Sequence, residues 1–472
     1  MRVSTAAFAL SAITVASSLL ATPAVAAPSS LSSAAVASST ASSSRPTQFI
    51  KVSAESSPGN ATFHWSHDGR NTTGYVLETA LTPFSKSSSS SLPTKGRHDR
   101  VWAIPASARS FTLSGDQLAA AGAPAGSGNY LYYRLYARNA NGKGVAAERA
   151  FPNLGAVMPE TAKVSGTGIR IASFNVRTAR ATSDSRPWLT RRTDVAAEII
   201  DRAPKVVALQ ELGPGRADGK TGTTNGAMRQ TTSLLDSLQK QGAGNYRLVR
   251  STPYVEPGKA TATQGMRLLY DSDRVSLVSD CSEKTGKRNY SSDCSFDLPL
   301  LPGDSAGLRR HAAYAEFRDL SSGKRFYVVS AHFDVRHSKN AAKEKSYTKL
   351  RAQQMQTIVD KMAAVNTGDL PLVVAGDTNS WQTVSAGNGP HDTLVDNGFS
   401  DTAAAPTALN LQYSTFNGFA TTQHLYKQGF GSRLDVIMTK GFAGATRFEN
   451  VTKGTDRSRA SDHNMIVADT VL

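Results

Sequence analysis

Six apolar runs in the C-terminal part of this chain each advance to a point and stop beside a polar, chemically competent residue. IRIASF runs into Asn175, VVALQ into Glu211, FYVVSA into His332, LVVAG into Asp377 and then Asn379, and GSRL into Asp435; the last run, MIVADTVL, follows Ser461-Asp462-His463. Short runs rich in β-branched residues read as buried strands. Between them, RRTDVAAEIIDRAP and SYTKLRAQQMQTIVDKMAAV carry helical periodicity. Alternation of this kind predicts an α/β body in packed layers from about Gly168 onward. Polar side chains gathered at strand ends mount a site on rigid supports. Oxygen and imidazole groups without a thiolate suit a hard divalent cation, Mg²⁺, with Mn²⁺ or Ca²⁺ as the other options.

The text before residue 168 differs. MRVSTAAFALSAITVASSLLATPAVAA has one Arg, a weakly apolar segment and the small-residue site Ala24-Val25-Ala26, which predicts a signal peptide over residues 1–27, the alternative being a retained anchor. A secreted protein is expected. Residues 28–46 form a Ser/Ala-rich tract too poor in large apolar groups to repay ordering, hence a linker. Residues 47–155 hold short alternating segments such as ATFHWSH and NYLYYRLYARNANG, the pattern of an all-β sandwich, and residues 156–167 read as a second linker before a body at 168–472. Every candidate residue lies in that body, so a fragment starting near Thr167 is expected to fold and work alone.

Export bears on the only two cysteines, Cys281 and Cys294. A disulfide is expected in an oxidising compartment, with two free thiols as the alternative; the loop is short enough that closing it contributes about 3 kcal/mol. With 53 Lys and Arg against 37 Asp and Glu, the net charge is +16. Such an excess points to a polyanionic partner or to a solvated basic surface.

Two resemblances follow from these residues. Trp65 early in the all-β segment, with Tyr133-Arg134-Leu135-Tyr136-Ala137-Arg138-Asn139 late in it, resembles a fibronectin type III module, an immunoglobulin-like sandwich. That resemblance implies a spacer or an adhesive unit contacting a cell surface or polysaccharide. It makes Trp65 and Tyr133 core aromatics, with a carbohydrate platform as the alternative.

From Ile169 onward, F-N-V, Q-E, H-F-D, G-D-T-N, L-D-V-I and S-D-H occur in the order found in the endonuclease/exonuclease/phosphatase superfamily, which the body resembles. The resemblance implies a four-layered α/β sandwich, two β-sheets flanked by helices, that hydrolyses phosphate esters by in-line attack of water. It implies Glu211 as principal ligand of a divalent cation, with Asn175 and Asp462 assisting. Asp377 and Asn379 would orient the water and bind the phosphate, His463 supported by Asp435 and His332 would contact the phosphate and manage protons, and Arg310 would bind the phosphate.

Some features depart from that pattern or compete with it. Relatives place a Glu behind the first His where this chain offers Gln264. Asp334, in H-F-D, reads either as a polar wall of the site or as a solvated strand end. The run Arg336, Lys339, Lys343, Lys345, Lys349 and Arg351 reads either as a wall or as a solvated helix face. Gly303-Asp304-Ser305-Ala306-Gly307 fits G-x-S-x-G, the nucleophile elbow of serine hydrolases, but Pro299 and Pro302 break the strand that motif needs before it. The expectation is therefore a monomeric metal-dependent phosphoesterase, a nuclease acting on nucleic acid. The rivals are an enzyme of phospholipid headgroups and a catalytically dead binding protein.

Overall fold

The computed structural model describes residues 45–46, 50–84, 98–143, 154–181, 183–184, 186–220, 228–249, 265–281, 294–384, 387–420, 422–423, 425, 430–452 and 459–472. The expected signal peptide, most of the Ser/Ala-rich tract and Gln264 lie outside them.

The body is a four-layered α/β sandwich. One seven-stranded sheet is centred on Gly168–Asn175, paired in parallel with Val206–Gln210 and antiparallel with Ile466–Val471. The second is centred on Leu372–Asp377, paired in parallel with Arg325–His332 and antiparallel with Asp435–Lys440. Each central strand is apolar on both faces because both are covered. The inner faces meet through Ile171, Val206, Ala208 and Leu268 of the first sheet and Phe317, Val328, Val373 and Ile437 of the second. Outside the first sheet lie the helices Trp188–Arg202 and Gln230–Lys240, seated through Val195, Ile199, Leu234 and Leu238. Outside the second lies Ala341–Val365, which starts at Asn340, whose side chain accepts from the Lys343 N–H, and buries Met355, Ile358 and Met362.

Cys281 and Cys294 are disulfide-bonded and buried at the edge of the inner core. No helix among the described residues is long and apolar enough to cross a membrane.

The N-terminal segment is a β-sandwich with one short helix, Gly115–Ala120, which adds Leu118 to its core. One sheet joins Lys51–Ser57, Asn60–Ser66 and Ser110–Leu113; the other joins Arg100–Pro105, Gly74–Ala80, Leu131–Asn139 and Gly142–Lys143. Trp65 and Tyr133 sit in its core, edge-on to Tyr75 and Phe63 respectively. The strand Leu154–Val157 pairs with Leu131–Asn139, so chain expected to begin a linker at residue 156 is still within this sheet.

The structure departs from the expected independence of the body. Leu131, Tyr133 and Leu135 face the sandwich's own core, whereas Tyr130, Tyr132, Phe84 and Met158 join the inner core of the body. Tyr130 stacks on Phe430 at 4.2 Å between centroids, and the Arg433 guanidinium lies 5.4 Å from the centre of its ring. Arg433 donates to the Gly128 carbonyl at 2.8 Å and to Asp401 at 2.8 Å. Gly128, at φ +69°, is what lets the two parts approach: a Cβ there would stand 2.3 Å from the Asp401 carboxylate. Arg433, followed by His391, holds the Asp401 carboxyl down to about 2 although burial pushes it up.

A fragment of residues 168–472 therefore exposes apolar surface that the full chain buries. It is expected to melt several degrees below the full chain, since each kcal/mol lost shifts the midpoint of even a 150–250-residue body by only about 2–4 °C and a buried core contact of this kind is worth several. Calorimetry checks this; equal midpoints would show that the shared core contributes nothing.

Candidate active site

Strand register assembles the site. His332 pairs with Asp377, and Asp377 with Asp435, so three neighbouring strands of the second sheet end in a polar row. In the first sheet Asn175 pairs with Gln210, placing Glu211 just beyond it. Gly376, at φ +156°, is required where the row forms, because a Cβ there would lie 2.0 Å from the Ala331 carbonyl oxygen on the adjoining strand. Next to it the backbone is strained: Glu211, Arg177 and Asn379 have φ of +59°, +54° and +47°. Asn tolerates that region, whereas for Glu and Arg it costs on the order of 1–3 kcal/mol each, a cost that commonly sits at functional sites.

These ends floor a cleft of about 780 Å³. Glu211, Arg310, His332, Asp377, Asn379, Asp462 and His463 line it, while Asn175 and Asp435 stand buried behind them. All nine residues singled out in the sequence are thus brought together. Asp377 is their hub. Its Oδ2 accepts from Asn175 Nδ2 at 3.0 Å and lies 3.5 Å from His332 Nε2 and 3.6 Å from His463 Nε2; its Oδ1 accepts from the Asn379 N–H at 2.9 Å. His463 Nδ1 meets Asp435 Oδ2 at 2.8 Å. The Ser461 hydroxyl donates to the Asn175 carbonyl at 2.6 Å, which ties the Asp462 loop to the first sheet.

The two histidines are in opposite states. Burial opposes charge on His463, but Asp435 and then Asp377 outweigh it and hold its pKa well above the ordinary value, as expected of a ring whose two nitrogens face carboxylates. Burial, then Arg310 and His463, hold His332 well below its ordinary value. Arg310 Nη1 donates to His332 Nδ1 at 3.4 Å, which leaves the ring proton on Nε2, towards Asp377. Burial raises the Asp377 carboxyl, with His463 pulling it down and Asp435 pushing it up. Burial also raises Asp462, with His463 opposing and Glu211 adding to the rise.

Two places can hold a cation. Asp377, Asp435 and His463 present ligand atoms within 4.8 Å of one another. The two carboxylates there favour the protonated form of His463, however, and an imidazolium has no lone pair to offer a metal. Glu211 and Asp462 line the cleft and repel each other, and Asn175 lies within 3.3 Å of Glu211. Asn175 turns its amide Nδ2 to Glu211 while its Oδ1 accepts from the Arg177 N–H, so the oxygens offered to the cleft are those of the two carboxylates, which fit a hard divalent ion.

Several cleft residues were not singled out in the sequence. Arg177 lies 3.5 Å from Asp462, and its place two residues after Asn175 is the only signal for it. Buried behind the cleft, the Thr415 hydroxyl accepts from the Leu434 and Asp435 N–H groups; in the cleft, Phe416 lies edge-on to His463 at 5.1 Å, and Trp381 and His337 form a wall. Other features resolve as structure. Asp334 is neither cleft wall nor solvated: it is buried and paired with Arg336 at 2.8 Å, which also grips Asp304 at 2.7 Å. Arg351 is buried against Glu344, while Lys339, Lys343, Lys345 and Lys349 are exposed. Ser305 is exposed before a single 3₁₀ turn, Ala306–Leu308, with no strand leading into it. No nucleophile elbow exists there.

Residues 172–463 match the Endonuclease/Exonuclease/phosphatase family. Solved structures similar to the chain include an endonuclease/exonuclease/phosphatase of Bacteroides vulgatus, 22% identical with a TM-score of 0.48 over 65% of this chain and 99% of that one. A mannosyl-6-phosphatase of Bacteroides thetaiotaomicron is 19% identical with a TM-score of 0.45 over 64% and 100%. The human Nocturnin catalytic domain is 15% identical with a TM-score of 0.42 over 64% and 93%. No curated protein matched.

Histidine NMR near pH 7.5 is expected to find His463 protonated on both nitrogens and His332 neutral with its proton on Nε2. Asp435→Asn should lower the pKa of His463, because the largest attraction that raises it is gone. A neutral His463 in the wild-type protein would contradict this arrangement.

Proposed function

This chain belongs to the Endonuclease/Exonuclease/phosphatase family, and we propose that it is a secreted, divalent-metal-dependent phosphodiesterase that cuts nucleic acid. Arg310 carries the reading. Its guanidinium lines the cleft, makes no carboxylate ion pair among the described residues, leaves Nε without a partner, and touches only a histidine nitrogen through Nη1. Burying a cation without an anion is costly, and a guanidinium fork matches phosphate. Such a site is completed by a phosphoryl group.

In this mechanism Arg310 and His463 place positive charge against the phosphoryl oxygens, where negative charge grows in the transition state. Asp435 braces His463 and keeps its proton in place. Asp377, raised by burial, takes the proton of the attacking water, and Asn379 orients that water. His332, neutral, donates from Nε2. Glu211, Asn175 and Asp462 would hold Mg²⁺, with Mn²⁺ or Ca²⁺ as substitutes, and the ion would supply Lewis-acid stabilisation of the same oxygens.

The net charge of +16 favours a polyanion as substrate. Export of residues 1–27, a linker at 28–46, a fibronectin type III-like module from residue 47, with its sheet running on to Val157, that contacts a cell surface or polysaccharide, and a monomeric state belong to the same proposal. A second reading has its own support: Val335 and Phe416 are exposed at the cleft, which suits the apolar part of a phospholipid.

One assay separates them. With Mg²⁺, DNA or RNA should be cut, EDTA should abolish cutting, and KM should rise steeply with salt while kcat changes less. Asp377→Ala and His463→Ala should lose on the order of 10²–10⁴ in kcat, and Ser305→Ala nothing. Turnover of sphingomyelin or phosphoinositide vesicles with nucleic acid left uncut would replace the nuclease reading.

A further inference from the structure

The cleft does not end at the phosphate-facing residues. Beyond His337 and Trp381, which line it, lies a second, shallow chamber of about 340 Å³, largely open to solvent, that the same two side chains also line, with Lys339, Glu344, Thr383 and Val384. Trp381 is thus shared between the two. It stands two residues after Asn379 and four after Asp377. A tryptophan left partly exposed on a cleft wall keeps a large apolar face from the core, an arrangement that suits stacking against a ligand.

The platform is built rigidly. His337 packs against Trp381 at 4.9 Å between ring centroids and is fixed at both nitrogens, Nδ1 to Glu344 at 2.9 Å and Nε2 to the Asn379 carbonyl at 3.0 Å. The next residue, Gln382, donates to the Gly431 carbonyl at 2.8 Å and accepts from the Arg433 N–H at 3.1 Å. An indole backed by His337 and carried on a segment tied down through Gln382 loses little freedom when a flat group lands on it. Lys339, exposed at the rim of the chamber, supplies positive charge for the next phosphate along a chain.

We propose that Trp381 is a stacking platform for an unpaired nucleobase beside the scissile phosphate, so that the enzyme acts on single-stranded rather than fully paired nucleic acid. This rests on the nuclease reading. A base within a duplex has both faces covered by its neighbours and must leave the stack, at a cost of a few kcal/mol, before it can lie on an indole. A loose strand offers that face at once. Stacking on an aromatic face tolerates any base, so weak sequence preference accompanies strong strand preference.

The test uses the full chain with Mg²⁺, a labelled single-stranded oligonucleotide, its duplex, and a single strand carrying one abasic nucleotide. Trp381→Leu keeps the bulk and Trp381→Phe keeps a ring, with melting curves to follow folding. Wild type should cut the single strand faster than the duplex. Trp381→Leu should raise KM on the intact single strand about tenfold, and Trp381→Phe should restore most of it. At the linkage beside the abasic nucleotide, the Leu variant and wild type should be equal.

An unchanged KM in a folded Leu variant would overturn the proposal and leave the nuclease reading standing. Equal losses beside the abasic nucleotide would overturn it too, by assigning the indole to the sugar. Should the Leu variant fail to fold, the abasic arm in wild type decides: slower cutting beside the missing base supports the proposal, and unaltered cutting overturns it. If wild type cuts no nucleic acid, both readings fall together.

Discussion

The carboxylate of Asp377 joins the two sheets, and the rest of the site is arranged around it. It takes a hydrogen bond from Asn175 of the first sheet and faces His332 on its own sheet and His463 on the loop leading into the last strand of the first. Burial raises the pKa of such a group; His463, held from its other side by Asp435, opposes that rise. One proton between two carboxylates thus supplies the positive charge at the cleft floor. The neutral His332 and the unpaired Arg310 complete a site whose unmet need is an anion.

The sandwich preceding the body is packed into it. Arg433, two residues before Asp435, is clamped between Asp401, the Gly128 carbonyl and the Tyr130 ring. Leu434 between them lines the cleft, and its carbonyl accepts from the N–H of Thr378, next to Asp377. The N-terminal sandwich therefore abuts the strand start that carries Asp435, through groups that tolerate little displacement.

Much of the site was legible because apolar runs ending in Asn, Asp, Glu or His report both a strand and its end. Eight of the nine residues could be named that way, Arg310 coming from the resemblance alone. Their roles came from the resemblance, since a strand end alone does not say which partner it meets; the His332–Asp377–Asp435 row is a matter of register. Arg177, Thr415, Phe416 and Trp381 sit on loops and carry no periodic signal. Asp334 was misread because its partners, Arg336 and Asp304, come together only through a turn and a distant loop. The shared core has a trace in the sequence. In LYYRLYARN one face carries Leu131, Tyr133, Leu135 and Ala137 and the other Tyr132, Arg134 and Tyr136, more aromatic surface than a solvated face of an isolated sandwich needs.

Locating the cation tests most directly the division of labour between a proton at one carboxylate group and a metal at the other. Crystals of the full chain grown with Mn²⁺ would be measured for anomalous scattering. The account predicts a peak beside Glu211 and Asp462 within reach of Asn175, with none among Asp377, Asp435 and His463. A single peak within that second group, and none at Glu211, would contradict it.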